Sequence, residues 1–416
     1  MSSCKMYGLS SVVIVFTFLV TPSVMTSQQE PTDAVAGVAN ANRQFALALY
    51  QNINARQDSK EQNIFVSPYS VSTALAMTYA GSRGNTQKQM ASVLGFNGVA
   101  DDELFAGFSS LLQQTKATPD KHYKLDVANA LWGQKSYHFE STFTDAIGKY
   151  YDGGFNTVDY IGAREQSRKE INKWVEGKTA DKITELIHAS DLNVNTRLVL
   201  TNAIYFKGDW ASRFDAKHTA IAPFTVTPNK IVNASMMEQN ATFPFLETNE
   251  LTMVELPYAG NDVSMVAILP TGSAEDFGAK LSTAKLRELR QRMRPRHVEV
   301  FLPRFKFETR YYLEQNLNAM GMPDAFEETK ADFSGMTGKP NLYISHVIHQ
   351  AMIDVNEEGS EAAAATAVVM TSKSIVIPAT FRADRPFIFL IIHKPTDSIL
   401  FIGRVSTPPT PVATAK

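Results

Sequence analysis

The chain has 416 residues, of which 44% are hydrophobic and 20% charged, as is typical of a globular protein. This composition argues against collagen-like, disordered and coiled-coil chains, and the length leaves room for two or three domains or for one large one. Because 40 Lys and Arg residues balance 42 Asp and Glu residues, the charge gives no reason to expect a nucleic acid or an anionic membrane as partner.

The first 27 residues are predicted to be a secretory signal peptide. Lys5 supplies a basic start, residues 12–20 form an apolar core too short to span a bilayer, and Pro22 interrupts it. The alternative is an uncleaved anchor. The only cysteine, Cys4, lies in this segment, so a mature chain would contain no disulfide and no thiolate metal ligand. We therefore expect a secreted, extracellular protein.

The first half of the chain shows mainly helical patterns. Residues 28–39 are polar and mixed, which predicts a loose N-terminal arm, and helical periodicity begins near Asn42. Ser67 followed by Pro68 is a strong helix start, and Gly81 is predicted to end that helix. A further helix is predicted over residues 164–176.

The second half shows mainly strand patterns. Residues 198–206 are almost continuously apolar and predict a strand buried on both faces. Further strands are predicted at 263–269, 298–302, 387–392 and 399–402. The last two are joined by the turn residues 394–397 and should form a hairpin. Helices followed by strands, without regular βαβ alternation, indicate an α+β fold.

Two surface features lie among these strands. Asn233 and Asn240 begin N-glycosylation sequons, which fit a secreted glycoprotein. Residues 285–296 are rich in basic side chains and predict a short amphipathic helix with a cationic outer face. That face is either ordinary solvated surface or a site for a sulfated polysaccharide, and the candidate ligands are Lys285, Arg287, Arg290 and Arg294.

Signatures of enzyme chemistry are absent from the sequence. It contains no HExxH, GxSxG, Walker A or GxGxxG motif. His346 and His349 have a spacing that would suit two metal ligands on a helix, but their apolar, strand-like neighbours favour structural histidines. We therefore expect a protein that is not an enzyme and that uses no metal and no cofactor.

Residues 357–378 fit no ordinary element. The first half favours helix through alanine and the second favours strand through Val, Thr and Ile, so a long mobile loop and a marginal helix–strand pair both remain open. If the segment were extended, every second residue would be small or β-branched and uncharged, and Glu361 would lie on the opposite face. Such a segment is suited to joining a sheet as an added strand. The residues on the uncharged face are Ser360, Ala362, Ala364, Thr366 and Val368.

Four motifs in order resemble those of the serpin family, over about residues 42–408. They lie at 63–70, 201–210, 357–364 and 381–391. The resemblance implies a serpin fold: a single domain over residues 40–408, with three β-sheets, about nine helices and an exposed reactive-centre loop at 357–380. The Pro-rich residues 409–416 would then form a C-terminal tail.

The resemblance also implies inhibition of a serine protease by a suicide mechanism. The protease attacks a bond in the loop and forms an acyl-enzyme, and the cut loop then inserts into the main sheet. In the family, the hinge glutamate lies sixteen residues before the residue that supplies this bond, and counting from Glu357 gives Lys373–Ser374. Because lysine suits a trypsin-like primary pocket, the expected partner is an extracellular trypsin-like protease, held covalently. A shift of the bond to Met370 or Ser372 would favour chymotrypsin-like or elastase-like enzymes.

Conformational roles follow from the same resemblance. It implies a mobile hinge formed by Glu357, Gly359, Ser360, Ala362, Ala363, Ala364 and Thr366. It also implies a polar cluster beneath the main sheet, the shutter, which consists of Ser67, Ser70, Asn202 and His349. The place where insertion begins, the breach, would contain Trp210. The small hinge residues favour an inhibitor over the alternative, a non-inhibitory serpin that acts as a carrier or storage protein. We also expect a monomer.

Overall fold

The computed structural model describes residue 1 and residues 33–118, 122–151, 154–358 and 377–411. The predicted signal peptide therefore lies outside the described residues from residue 2 onward, as does most of the predicted reactive loop. No helix in the described ranges is long and apolar enough to cross a membrane.

Ten α-helices are found among the described residues, close to the nine expected. They are α1 (Asp33–Ala55), α2 (Pro68–Ala80), α3 (Gly84–Leu94), α4 (Asp101–Thr115), α5 (Ser141–Tyr150), α6 (Arg164–Lys178), α7 (Ala274–Lys280), α8 (Thr283–Arg292), α9 (Glu314–Met320) and α10 (Ser334–Thr337). The predicted start of α2 is confirmed, since the backbone N–H of Ser70 donates to Oγ of Ser67 over 3.2 Å and Pro68 is the first helical residue.

The N-terminal arm predicted at 28–39 is wrong from Asp33 onward, because α1 begins there. Val35 and Val38 are 0% and 2% exposed, so this polar-looking stretch has a buried side. Gly107 of α4 allows the close approach: a Cβ at that position would lie 2.7 Å from the carbonyl oxygen of Ala34 and from a methyl of Val38. Packing against α4 thus extends the helix beyond the region that local composition indicates.

The strands form two hydrogen-bonded networks. In chain order they are β1 (Ile64–Val66), β2 (Tyr123–Gln134), β3 (Gly154–Val158), β4 (Leu198–Gly208), β5 (Ala220–Thr227), β6 (Lys230–Glu247), β7 (Leu251–Pro257), β8 (Val263–Pro270), β9 (Arg294–Pro303), β10 (Phe305–Tyr312), β11 (Ile344–Val355), β12 (Ala379–Arg382), β13 (Phe387–His393) and β14 (Ser398–Val405). The five-stranded main sheet has the order β10-β11-β4-β2-β3.

The second network joins nine strands through the long strand β6. The first part of β6 pairs with β5 and its middle with β9, which also pairs with β12. The last residues of β6 pair with β7, which continues through β8, β13 and β14 to β1. The two sections that share β6, together with the main sheet, correspond to the three sheets expected from the sequence.

The main sheet is covered on both faces. On one face Phe206 of β4 contacts Phe401 of β14, with ring centroids 5.6 Å apart. On the other face α6 supplies Ile171 and Val175 to a cluster with Trp132 of β2. Every residue of β4 except Lys207 is buried, which confirms the prediction of a strand buried on both faces. The predicted hairpin is confirmed as the antiparallel pair β13–β14.

Two predicted boundaries are wrong. The basic segment 285–296 is not one helix: α8 ends at Arg292, and Arg294 begins β9. Pro295 disfavours helical backbone at the residue before it, which accounts for the change. The predicted loop 357–380 also ends too late, because Ala379 and Thr380 belong to β12, paired in parallel with β9.

Candidate functional site

The candidate site is the region where the predicted reactive loop joins the main sheet. The described chain leaves β11 at Val355, continues to Glu358 and resumes at Ile377 before β12. The predicted reactive bond and most of the predicted hinge lie outside the described residues: Gly359, Ser360, Ala362, Ala363, Ala364, Thr366, Lys373 and Ser374. What the structure describes is the anchor of the loop and the part of the sheet that would receive it.

The receiving position is the junction between β4 and β11. These strands pair in parallel from Leu198 opposite Ile344 to Phe206 opposite Ile353. A chain that leaves the end of β11 and turns back between the two strands would run antiparallel to both. One parallel ladder would be replaced by two antiparallel ladders, and antiparallel pairing is slightly more stable per residue.

Glu357 anchors the chain just beyond β11. It is 3% exposed, Oε1 accepts a hydrogen bond from the hydroxyl of Thr219, and Oε2 accepts one from Nε of Arg304 over 3.0 Å. Burial alone would raise the pKa of Glu357, but the hydrogen bonds from Thr219 and Arg304 outweigh burial and hold the pKa below its usual value. The first residue of the predicted hinge is therefore a fixed, ionised anchor.

Trp210 lies beside the same anchor. Its indole Nε1 donates to the backbone oxygen of Asn356 over 2.9 Å, and its ring stacks on Tyr258 at 4.5 Å. Gly208, at the end of β4, makes room for Tyr258, because a Cβ there would lie 2.6 Å from the ring. Trp210 thus connects the end of β4 to the segment that follows β11, where insertion would begin.

The four predicted shutter residues come together in a fully buried cluster. Nε2 of His349 accepts from the backbone N–H of Ser67 over 3.1 Å, and Nδ1 is hydrogen-bonded to Oδ1 of Asn202. Nδ2 of Asn202 donates to Oγ of Ser70 over 2.6 Å, and Ser70 donates to Oδ1 of Asn129 over 2.9 Å. The cluster connects α2 to three neighbouring strands of the main sheet.

His349 is a neutral imidazole in this cluster. Burial lowers its pKa to about 3, against a smaller opposing effect of the hydrogen bond with Asn202. Because the N–H of Ser67 points at Nε2, the ring proton resides on Nδ1 and is donated to Asn202. His349 is thus a structural histidine. The other member of the pair, His346, contacts Glu314 through Nδ1 over 3.0 Å.

No group of metal-ligating side chains was found in the described part of the chain. His346 and His349 do not share a site: His346 contacts a carboxylate on α9, whereas His349 is enclosed by amide and backbone groups. The spacing that suggested a pair of ligands reflects a strand, on which these two residues point to opposite faces.

The predicted polysaccharide ligands are distributed over α8 and β9. Two of them already have acidic partners: Lys285 lies 3.7 Å from Glu288, and Arg290 pairs with Asp397. These pairs support the alternative of a solvated, partly neutralised face. A polysaccharide site that also uses Arg287 and Arg294 stays a prediction, which the dependence of inhibition rate on heparin would test. Asn233 and Asn240 are exposed on β6, and their glycosylation also stays a prediction.

Three residues of the site were missed by the sequence analysis. Asn129 lies opposite Asn202 in the ladder between β2 and β4, and its only signal is a polar residue within the apolar run 127–132. Thr219 and Arg304 hold Glu357, although they are more than fifty residues away from it in sequence. No local pattern indicates such contacts.

The comparisons with known proteins agree with this geometry. The family model described as Serpin (serine protease inhibitor) matches residues 40–408. Leukocyte elastase inhibitor from Xenopus laevis is 40% identical over 379 residues, which covers 89% of this chain and 99% of that protein. Serpin B6 from Macaca fascicularis is 43% identical over 378 residues, with coverages of 89% and 99%.

Two solved structures are similar along the same length. The crystal structure of uncleaved ovalbumin has a TM-score of 0.80 and 31% identity, and covers 89% of this chain and 100% of its own. Serpin48, described as a highly specific serpin in the insect Tenebrio molitor, has a TM-score of 0.78 and 31% identity, with coverages of 89% and 98%.

The prediction of a secreted, extracellular protein is wrong. The relatives named leukocyte elastase inhibitor and serpin B6 are matched over 99% of their own length by only 89% of this chain. They therefore have almost nothing to correspond to the N-terminal segment on which the prediction of secretion was based. An apolar run flanked by a basic residue and a proline was too local a signal for that conclusion.

Proposed function

The chain belongs to the serpin (serine protease inhibitor) family, and we propose that it inhibits a trypsin-like serine protease that cleaves between Lys373 and Ser374. The observation that carries the proposal is the position of Glu357. It lies two residues beyond β11, buried and paired with Arg304, where the hinge glutamate of a serpin is expected. The count of sixteen residues from that anchor ends at Lys373.

The proposed reaction begins as ordinary proteolysis. The protease's serine oxygen attacks the carbonyl carbon of Lys373, the bond to the nitrogen of Ser374 breaks, and that nitrogen leaves as a new amino terminus. The protease is then held as an ester on Lys373. Sixteen extended residues at about 3.3 Å each would carry it roughly 50 Å along the main sheet. Distortion of its catalytic site then prevents hydrolysis of the ester.

The composition of the hinge supports insertion. The residues that would face the interior, Ser360, Ala362 and Ala364 among them, are small and uncharged, so burial between β4 and β11 requires no unpaired charge. A carrier or storage protein has no need of this pattern. The hinge therefore favours inhibition over the non-inhibitory alternative.

The class of the target protease has a second candidate. Several relatives are named leukocyte elastase inhibitors, and an elastase-like target would fit a cleavage after Met370 or Ser372. The two candidates differ in the bond that is attacked and therefore in the peptide that is released.

Incubation with trypsin, chymotrypsin and elastase in parallel tests the proposal. We expect trypsin to give a complex that survives boiling in SDS, together with a released C-terminal peptide that begins at Ser374 by mass spectrometry. A protease with a blocked active-site serine is the control and should give no complex. A complex with elastase alone, or a peptide that begins elsewhere, would favour the second candidate, and cleavage without any complex would favour a carrier.

A further inference from the structure

A cavity of about 450 Å³ lies away from the reactive loop, between the start of α7, the turn that joins β5 to β6, and the end of β14. This volume is within the range of small-molecule sites in proteins. Part of its wall is apolar and is formed by Val226, Pro228, Ala274 and Pro386. The same wall contains basic side chains, so the cavity is amphipathic.

Arg404 is the buried charge of this cavity. It is 1% exposed, and its guanidinium donates only to neutral acceptors, such as Oγ of Ser406 over 2.8 Å and Oε1 of Gln57 over 3.0 Å. Across the described ranges, no carboxylate forms an ion pair with Arg404. Neutral partners satisfy its hydrogen bonds but leave a net positive charge in a site shielded from water, and such a charge is unfavourable without a counter-ion.

The other charged groups of the wall leave this excess in place. Arg385 contributes a second guanidinium that is 38% exposed, donates to the backbone oxygen of Pro270 over 3.2 Å and pairs with Asp384 over 3.2 Å. Lys60 and Glu275 neutralise one another over 2.9 Å, and Asp276 is exposed at the rim. Lys60 and Arg385 thus each have a carboxylate partner, whereas Arg404, the most deeply buried charge of the wall, has none among the described residues.

We propose that this cavity binds a small apolar molecule that bears a single carboxylate, such as a medium-chain fatty acid. The carboxylate lies between Arg404 and Arg385, where charge-assisted hydrogen bonds to guanidinium groups are stronger than hydrogen bonds between neutral groups. The apolar part lies against Val226, Ala274 and Pro386. The site is independent of the reactive loop, so binding does not require cleavage or insertion.

Titration of the full chain with decanoate by isothermal calorimetry tests the charge requirement. We expect saturable binding of one decanoate per chain, and at least 10-fold weaker binding of decanol, which lacks the charge. Arg385→Gln should weaken decanoate binding about 10-fold or more. Arg292→Gln is the matched control, because Arg292 lies on α8 and pairs with Glu288. Arg404 is too deeply buried to be a fair test, since its replacement also affects folding.

Gly272→Phe tests the location. Gly272 lines the cavity, and a Cβ there would meet no atom within 4 Å, so the ring can enter the open space without strain. We expect this variant to lose decanoate binding, while Gly177→Phe, another open position on α6, keeps it. The proposal is overturned if decanoate does not saturate, or if Arg385→Gln and Gly272→Phe both bind with the wild-type affinity. Complex formation with trypsin should be the same in all these variants. A failure of decanoate binding can therefore be distinguished from a failure of the proposed inhibition of trypsin.

Discussion

His349 on β11 and Asn202 on β4 are hydrogen-bonded partners across the parallel ladder that an inserting strand would have to separate. Both side chains are fully buried, and the same cluster reaches α2 through Ser67 and Ser70. The proposed insertion would therefore have to break a contact that connects the two central strands of the closed main sheet.

The buried His349 should make stability depend on pH. Its folded pKa is about 3 and its unfolded pKa about 6.5, so below pH 6.5 the unfolded chain binds a proton that the folded chain does not. The free energy of unfolding is therefore not reduced by this group above about pH 6.5. Below that pH it falls by about 1.4 kcal/mol per pH unit towards pH 3, so the loss at pH 5 is about 2 kcal/mol. Urea unfolding at pH 7.5 and pH 5 measures the loss. His349→Gln keeps a donor and an acceptor but does not titrate, so its free energy of unfolding should fall by about 2 kcal/mol less between the two pH values than that of the wild type. An equal decrease in both proteins would contradict a neutral, buried His349.

Loss of the anchor at Glu357 should destabilise the native state. Glu357→Gln replaces a buried carboxylate that accepts from Arg304 and Thr219, and hydrogen bonds to charged groups contribute about 1.5–3 kcal/mol. We expect the free energy of unfolding at pH 7 to fall by about 2 kcal/mol. Because the folded pKa of Glu357 is lowered, the difference should shrink as the pH falls below about 4.5. Glu358→Gln, at the exposed neighbouring glutamate, should have almost no effect.

Replacement of Lys373 should remove trypsin inhibition without affecting the fold. In Lys373→Ala the trypsin pocket loses the ammonium that its carboxylate recognises, and we expect the SDS-stable complex with trypsin to disappear. Lys373→Arg should retain it, and the urea midpoint of both variants should equal that of the wild type. An undiminished complex with trypsin in Lys373→Ala would contradict a reactive bond at Lys373–Ser374.

A charge in the hinge should convert the inhibitor into a substrate. Ser360→Arg places a cation on the face that would be buried between β4 and β11, at a cost of several kcal/mol if it stays unpaired. Insertion should slow, so that trypsin deacylates first and cleaved protein accumulates in place of complex. Glu361→Arg is the matched control on the opposite face and should keep most of the complex. Densitometry of the complex and cleaved bands gives the ratio, and equal ratios in the two variants would rule out face-specific insertion.

Local patterns predicted the elements whose signals are local. The hydroxyl cap and proline at Ser67 and Pro68 favour a helix start, and the nearly continuous apolar run at 198–206 favours a buried strand; the structure contains both. The shutter residues Ser67, Ser70, Asn202 and His349 were identified through family resemblance, and the structure brings all four together. The residues of the predicted reactive bond are outside the described ranges, so Lys373–Ser374 stays a prediction.

Other features depend on contacts between distant segments. The first turns of α1 pack closely against Gly107 of α4, the anchoring of Glu357 depends on Arg304 and Thr219, and Asn129 joins the shutter because β2 lies beside β4. Periodicity and capping act over a few residues and can be read along the chain. Burial, ionisation and hydrogen-bond partners are decided only when segments far apart in sequence pack together. The neutral state of His349 and the ionised state of Glu357 could therefore be assigned only from the tertiary structure.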